Sequence, residues 1–430
     1  MSESGLYAAY LSLGLQALTP IILGSFKSLK TPASTIARRK KAAAAASRVL
    51  TEDEEDEEDL EEETLGWADS LFFPVFGSIA LVGLWALLKY FGKEWINFFL
   101  GVYFSGAGVF AFQSTFSTLI NFALRMVSYK TPLYHIRITR SFKQIFHLSI
   151  SLPSLLLLPL SITLPLLYMP LGRPYILSNI LALSLGTATL ELLKLDSFFT
   201  AFLLLGVLLI YDIFWVFATP VMVTVAKGID APIKLLAPKS GSASDFAMLG
   251  LGDIVIPGLV IALCLRFDLW RHVKRNPAED TTRHSSFSRL YFWTGIVSYI
   301  IGLATTMAVM HYFRAAQPAL LYLSPACTIG PLILAVIRGE LSLLWSYNEG
   351  SETDKEVDET IEAPSEAAMN ARKAVAAAQT ETPELDEQDK EADDDVIVVE
   401  DESWMEDTKG VSTGLEASAK AKKRKGGKKK

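Results

Sequence analysis

Residues 249–258 read LGLGDIVIPG: Leu249, Gly250, Leu251, Gly252, Asp253, Ile254, Val255, Ile256, Pro257 and Gly258. The run opens a long apolar stretch, yet it carries a carboxylate between a pair of glycines and a proline. Upstream, LLLGVLLIYDIFWVF (203–217) holds Asp212 in equally apolar company. An ionised carboxylate in hydrocarbon costs about 2.5–3.5 kcal/mol even on the lenient insertion scale, so each of these residues needs an explanation.

Working outward, the chain has 430 residues, is 50% hydrophobic and has a mean hydropathy of +0.31, although its ends are heavily charged. The apolar residues concentrate in stretches near bilayer length, about 20 residues. Spans are expected at roughly 5–26, 71–90, 95–124, 148–169, 174–193, 198–221, 246–265, 290–313 and 316–337. The first begins MSESGLYAAY, without Lys or Arg, so it reads as retained rather than as a cleaved signal peptide. In lipid each span must satisfy its own backbone, and nothing in the sequence is read as alternating with period two. The expected class is therefore all-α, a polytopic membrane protein with about nine transmembrane helices.

Four parts follow: an N-terminal span (1–30), a charged linker (31–66), a membrane domain (67–346) and a charged tail (347–430). Linker and tail are expected to be disordered, being too polar to bury a core. The tail's VIVV at 396–399 is either a short docking segment or chance composition. The net charge of −7 sums unlike parts and so identifies no partner. Cys264 and Cys327 both fall in apolar spans, which argues against a disulfide framework.

Basic residues set the orientation. Lys27, Lys30, Arg38, Arg39, Lys40, Lys41 and Arg48 follow the first span. Arg125, Lys130, Arg137, Arg140 and Lys143 lie between the third and fourth, and Arg266, Arg271, Lys274, Arg275, Arg283 and Arg289 between the seventh and eighth. The alternate connections carry far fewer. With an odd number of spans, the N-terminus is expected to be lumenal and the C-terminus cytosolic.

In that arrangement the sixth and seventh spans are antiparallel and joined by a short connection. Asp212 and Asp253 then lie at similar depth, roughly 10–14 Å inside one face. Gly250 and Gly252 would let the seventh helix approach its neighbour closely, and Pro257 and Gly258 loosen it one turn on. Two carboxylates a few ångströms apart share one proton. The ionised one can take a proton from water while the other polarises a peptide carbonyl. From the residues alone, the alternatives are a structural ion pair or a proton relay in a carrier.

The wording around both positions carries a resemblance. Tyr211-Asp212 followed by IFWVF, and Gly250-Leu251-Gly252-Asp253 followed by IVIPG, resemble the YD and GxGD motifs of the intramembrane aspartyl proteases. Gln317-Pro318-Ala319-Leu320 resembles that family's PAL motif. The order and spacing are most similar to the signal peptide peptidase family, a presenilin relative, from about residue 71 to 348. PVMVTVAKGIDAPIKLL at 220–236 belongs to the match. Presenilins carry a long hydrophilic insert between the catalytic spans, whereas the connection here, about 222–245, is short. A large lumenal N-terminal domain, as in the vacuolar or plasma-membrane branch, is not expected.

The resemblance implies that Asp212 and Asp253 are catalytic, with Tyr211, Gly250, Gly252, Pro318, Ala319 and Leu320 supporting the site. It implies hydrolysis of remnant signal peptides and other type II-oriented transmembrane segments in the endoplasmic reticulum membrane. Partners would be those substrates, membrane lipid, a second copy of the chain and degradation machinery. Pro318 should give the ninth helix an extended entry. The stretch around Met222–Pro238 is expected to offer a backbone edge to an unwound substrate. The competing functions are a membrane-segment-binding degradation adaptor and a proton-coupled transporter.

Other chemistries lack their signatures. No HExxH occurs, and His135, His147, His272, His284 and His311 form no ligand spacing, so no metal is expected. GSAS at 241–244 has no histidine arrangement to make it a serine protease. No Walker or dinucleotide motif appears, so neither a cofactor nor a nucleic-acid partner is expected. The terminal KKRKGGKKK is a retrieval signal, a membrane-surface patch or a solvated tail; Gly427 stands where a strict dilysine signal needs lysine.

Overall fold

The computed structural model describes residues 3–32, 35–36, 39, 64–127, 133–140, 143–239, 246–276, 281–282, 285–313, 317–349 and 396–401. Most of the charged linker and tail, GSAS and the basic terminus lie outside these residues.

The chain opens with α1 (Glu3–Lys27), which continues through Pro20, and the short strand β1 (Thr64–Leu65). Two long helices follow, α2 (Trp67–Tyr90) and α3 (Lys93–Met126). Next come the strands β2 (Leu133–Arg140) and β3 (Lys143–Ser151), then α4 (Leu152–Leu167) and α5 (Tyr175–Leu192). After β4 (Lys194–Leu195), Ser197 caps α6 (Phe198–Ile213) by accepting from the Thr200 N–H at 3.3 Å. A π-helical turn, Phe214–Ala218, extends α6, and after a break at the extended Thr219 the chain enters α7 (Val221–Gly228). The hairpin strands β5 (Lys234–Pro238) and β6 (Phe246–Gly250) lead directly into α8 (Gly252–Arg275). The helices α9 (Leu290–Phe313), α10 (Leu320–Ile337) and α11 (Leu341–Ser346) follow, and β7 (Val396–Asp401) is the last described element.

Seven of these helical stretches are long and apolar enough to cross a bilayer: 5–27, 67–90, 93–124, 175–192, 198–218, 290–313 and 320–337. The other two expected spans are also helical. α4 is apolar but only 16 residues long, because LSIS at 148–151 belongs to β3. α8 begins at Gly252 rather than near 246 and runs to Arg275, so it carries charges that the sequence reading put in a connection. The protein is a mostly helical, multi-pass membrane protein. α2 turns Phe72, Val75, Phe76 and Ile79 outward, a surface suited to lipid and costly in water.

The described residues form two compact units. In the first (1–112 and 164–381), α8 is the most enclosed helix, with Leu263, Cys264, Leu265 and Phe267 fully buried. It packs against α1, α5, α9 and α10. Small residues allow the approach: a Cβ on Gly258 would lie 3.0 Å from Leu190 Cδ2 and 3.3 Å from Ile21 Cγ1, and one on Gly186 3.0 Å from Leu251 Cδ1. Cys264 and Cys327 are buried free thiols.

At the far end of α8 the charges are buried in pairs. Arg271 bonds Asp268 at 3.2 Å and Glu340 at 2.9 Å, and the Tyr291 hydroxyl donates to Glu340 at 2.9 Å. Arg266 reaches Glu349 at 2.8 Å, and the Glu349 N–H donates to the Asp196 carbonyl at 2.9 Å. Tyr347 is buried too. Folded structure therefore runs past 346, beyond the expected start of the tail.

The second unit comprises 113–163 and 382–430. Here β2 and β3 pair antiparallel from Leu133↔Ser151 to Arg140↔Lys143, with a bulge between Ile138 and Thr139, and β7 adds antiparallel to β2. Alternation was present in LYHIRITR and KQIFHLSIS, though basic residues obscured it among longer apolar runs. Between α3 and α4, Gln113 Nε2 donates to the Ser154 carbonyl at 2.8 Å, and Ser117 and Ser154 share a hydrogen bond of 2.7 Å.

Candidate active site

Asp212 sits in the last turn of α6, only 4% exposed, where the helix widens into its π turn. Such turns change which side chains face a neighbour and recur at functional sites. Asp253 stands in the first turn of α8. The two helices pack together, and the carboxylates are near enough for the charge of one to act on the other. The sequence reading placed these aspartates on neighbouring helices, and the structure brings them together.

The third motif closes the site. Gln317 and Pro318 are outside any helix, Ala319 is the cap, and Leu320 is the first residue of α10. The first N–H groups of a helix have no partner within it. The Leu320 N–H finds one in Asp212, donating to Oδ2 at 3.1 Å. A carboxylate at a helix N-terminus also meets the positive end of the backbone dipole. The donor is free for Asp212 because the helix starts at Leu320, after the non-helical Gln317 and Pro318, while the cap residue Ala319 is itself helical in backbone rather than extended. Ala319 packs beside the core, and Leu320 is buried within it.

The remaining supporting residues divide. Tyr211 lies toward α2, its hydroxyl 3.4 Å from where a Cβ on Gly77 would be, and its ring near Trp215. Gly250 and Gly252 do not serve helix–helix contact as expected, since Gly250 ends β6 and only Gly252 begins α8. A Cβ on Gly250 would lie 3.2 Å from Asp253 Oδ2, whereas one on Gly252 would meet nothing within 4 Å. One glycine leaves room for the carboxylate and the other keeps space open beside it.

β5 and β6 pair antiparallel from Lys234↔Gly250 to Pro238↔Phe246, and the Leu251 N–H continues the ladder to the Ile233 carbonyl at 2.9 Å. The Ile233–Leu251 bond makes 235:249 and 237:247 the hydrogen-bonded pairs, so Leu236 and Met248 direct their backbone groups away from the partner strand. The Asn179 side chain occupies Leu236. Among the described residues the edge left open is therefore on β6 at Met248, which is 51% exposed, whereas the 222–238 stretch read from sequence has its edge at Leu236 taken by Asn179. β6 ends beside the Gly250–Asp253 motif.

Two further residues were not singled out from sequence. Asn179 is the single carboxamide in its helix, a signal that was available. Tyr299 on α9 is fully buried, its hydroxyl has no hydrogen-bond partner among the described residues, and it lies within electrostatic reach of Asp253. Its helix carries several tyrosines, so only packing identifies it. Among the described residues no group of three or more His, Cys, Asp or Glu could hold a metal ion.

A multi-pass helical membrane protein with two aspartates gathered beneath an unwound helix entry has the build of an intramembrane protease. The signal peptide peptidase family model matches residues 57–351, and the chain belongs to that family. Human signal peptide peptidase is 38% identical over 362 residues, covering 82% of this chain and 86% of its own. A probable intramembrane protease of Schizosaccharomyces pombe is 38% identical over 290 residues, 67% of this chain and 85% of that one. Intramembrane protease 2 of Caenorhabditis elegans is 53% identical over 192 residues, 43% of this chain and 41% of that one. The protein is a protease acting within the membrane.

Proposed function

We propose that the protein is an aspartyl endopeptidase whose catalytic groups are Asp212 and Asp253. The observation that carries this reading is the placement of two carboxylates on adjacent helices within electrostatic reach of each other, with the Leu320 N–H donated to Asp212. The pair shares one proton. The ionised carboxylate removes a proton from water, whose oxygen attacks the scissile carbonyl carbon. The protonated carboxyl gives its proton to the carbonyl oxygen, forming a neutral tetrahedral diol. Collapse of the diol breaks the C–N bond as the amine takes a proton from one carboxyl and the diol returns one to the other. Hydrogen bonding from Leu320 holds Asp212 in place through both steps.

A substrate helix must first unwind, because its peptide groups are internally bonded. The open edge of β6 offers the freed segment a strand to pair with, and this edge runs toward Asp253. The substrates proposed are remnant signal peptides and other type II-oriented transmembrane segments. The setting is the endoplasmic reticulum membrane, with the N-terminus lumenal and the C-terminus cytosolic, as the basic connections favour. A second copy of the chain and degradation machinery are the proposed protein partners.

The test is to incubate detergent-solubilised protein with a synthetic signal peptide and weigh the products. Asp212→Asn and Asp253→Asn should each lower turnover by about a thousandfold or more while the protein stays folded. Undiminished cleavage by either variant would refute the dyad, whereas wild-type protein that binds the peptide and never cuts it would favour a membrane-segment-binding adaptor.

A further inference from the structure

The backbone groups of Leu236 that face away from β6 meet a single side chain. The Leu236 N–H donates to Asn179 Oδ1 at 2.9 Å, and Asn179 Nδ2 donates to the Leu236 carbonyl at 2.7 Å. A carboxamide that satisfies one residue's donor and acceptor together reproduces the pairing a neighbouring strand would supply. Asn179 is itself anchored. Its second amide hydrogen goes to Gln16 Oε1 at 3.0 Å, and Gln16 Nε2 donates to Ser12 Oγ at 2.9 Å. The outer edge of β5 is thereby fixed to α5 and, through it, to α1. Asn179 is 9% exposed, so no water readily replaces it.

What this clamp controls follows from the ladder. β5 fixes β6 through five paired positions and the Leu251–Ile233 bond. Three residues past the end of β6 stands Asp253, separated from Gly250 only by Leu251 and Gly252. A strand paired on the open side of β6 would present its peptide bonds to the dyad in a register set by where β6 sits. A displacement of about 1 Å at such a site can cost on the order of a hundredfold in rate.

We propose that Asn179 acts as a one-residue strand and is a positioning residue: it sets the register of the β5–β6 hairpin against Asp253 and so selects the peptide bond that is cut. This rests on the protease reading above, with β6 as the substrate edge.

The experiment uses the full chain in detergent with a synthetic signal peptide, quantifying every product by mass beside a melting curve. Asn179→Leu removes both bonds and should lower kcat/KM by about tenfold while spreading cleavage onto neighbouring bonds. Asn179→Asp is nearly isosteric and keeps the bond from the Leu236 N–H but not the one to its carbonyl, so it should broaden the products less. A residue needed only for folding would reduce the amount of active enzyme and leave the product ratio untouched. Wild-type product ratios in a folded variant, with Asn179→Asp deciding if the leucine variant does not fold, overturn the proposal. If the wild type cleaves and Asp253→Asn is silent, that result sinks the register claim alone. A silent wild type, or an active Asp253→Asn, sinks the protease reading beneath it.

Discussion

At the scale of single residues, the two glycines of the GxGD motif do different work. Gly250 borders the carboxylate, since a Cβ there would come within 3.2 Å of Asp253 Oδ2. Gly250→Ala should displace that oxygen and lower kcat with little change in KM. Gly252 borders open space, since a Cβ there would meet no atom within 4 Å. Gly252→Ala should leave the melting temperature unchanged and intrude instead on the space beside the dyad, raising KM for a transmembrane substrate. Steady-state kinetics on both variants check the split, and a matching loss of kcat in both would contradict it. The motif was legible as a motif, but this division was not, because it depends on where the strand ends and the helix begins.

At the scale of elements, helix approach is governed by small residues elsewhere. A Cβ on Gly302 in α9 would lie 3.2 Å from Leu323 Cα and 3.0 Å from Ala326 Cβ in α10. Backbone cannot give way as a flexible side chain can. Gly302→Leu should therefore push α9 and α10 apart at a cost of about 2 kcal/mol, read as a lower melting temperature in detergent. Because α10 carries the Leu320 N–H that meets Asp212, the same variant should lose cleavage more than its melting curve alone accounts for. The helices themselves were readable from hydropathy. The β5–β6 hairpin was not, since five-residue strands beside the membrane carry no span-length signal and are held by partners distant in sequence.

At the scale of the whole molecule, the buried charges around Glu340 tie the ends of α8, α9 and α10 together. Burial alone would raise the Glu340 carboxyl, but the Tyr291 hydroxyl and the Arg271 and Arg338 guanidinium groups outweigh it and hold it below its ordinary value of 4.5. A carboxyl lowered on folding stabilises the fold at pH above its unfolded value, and that contribution is lost as pH falls through the folded one. Melting temperature should thus fall below about pH 4. Glu340→Gln should remove part of that acid dependence and leave Arg271 short of a charged partner. Stripping a buried pair of one member costs about 3 kcal/mol, so this variant should melt lower at neutral pH. An acid limb identical in both proteins would count against the assignment.

The sequence by itself determined the membrane class, the order of the helices and the presence of two aspartates within apolar stretches on neighbouring helices. Those signals are local: apolar runs of bilayer length, and short motifs whose residue types must adjoin. Only the tertiary structure decided that Asp212 accepts from the Leu320 N–H, that Asn179 closes one edge of β5, and that β6 is the edge left open among the described residues. Each joins residues tens to more than a hundred positions apart, and a hydrogen bond depends on ångström-scale placement that no single stretch of chain records.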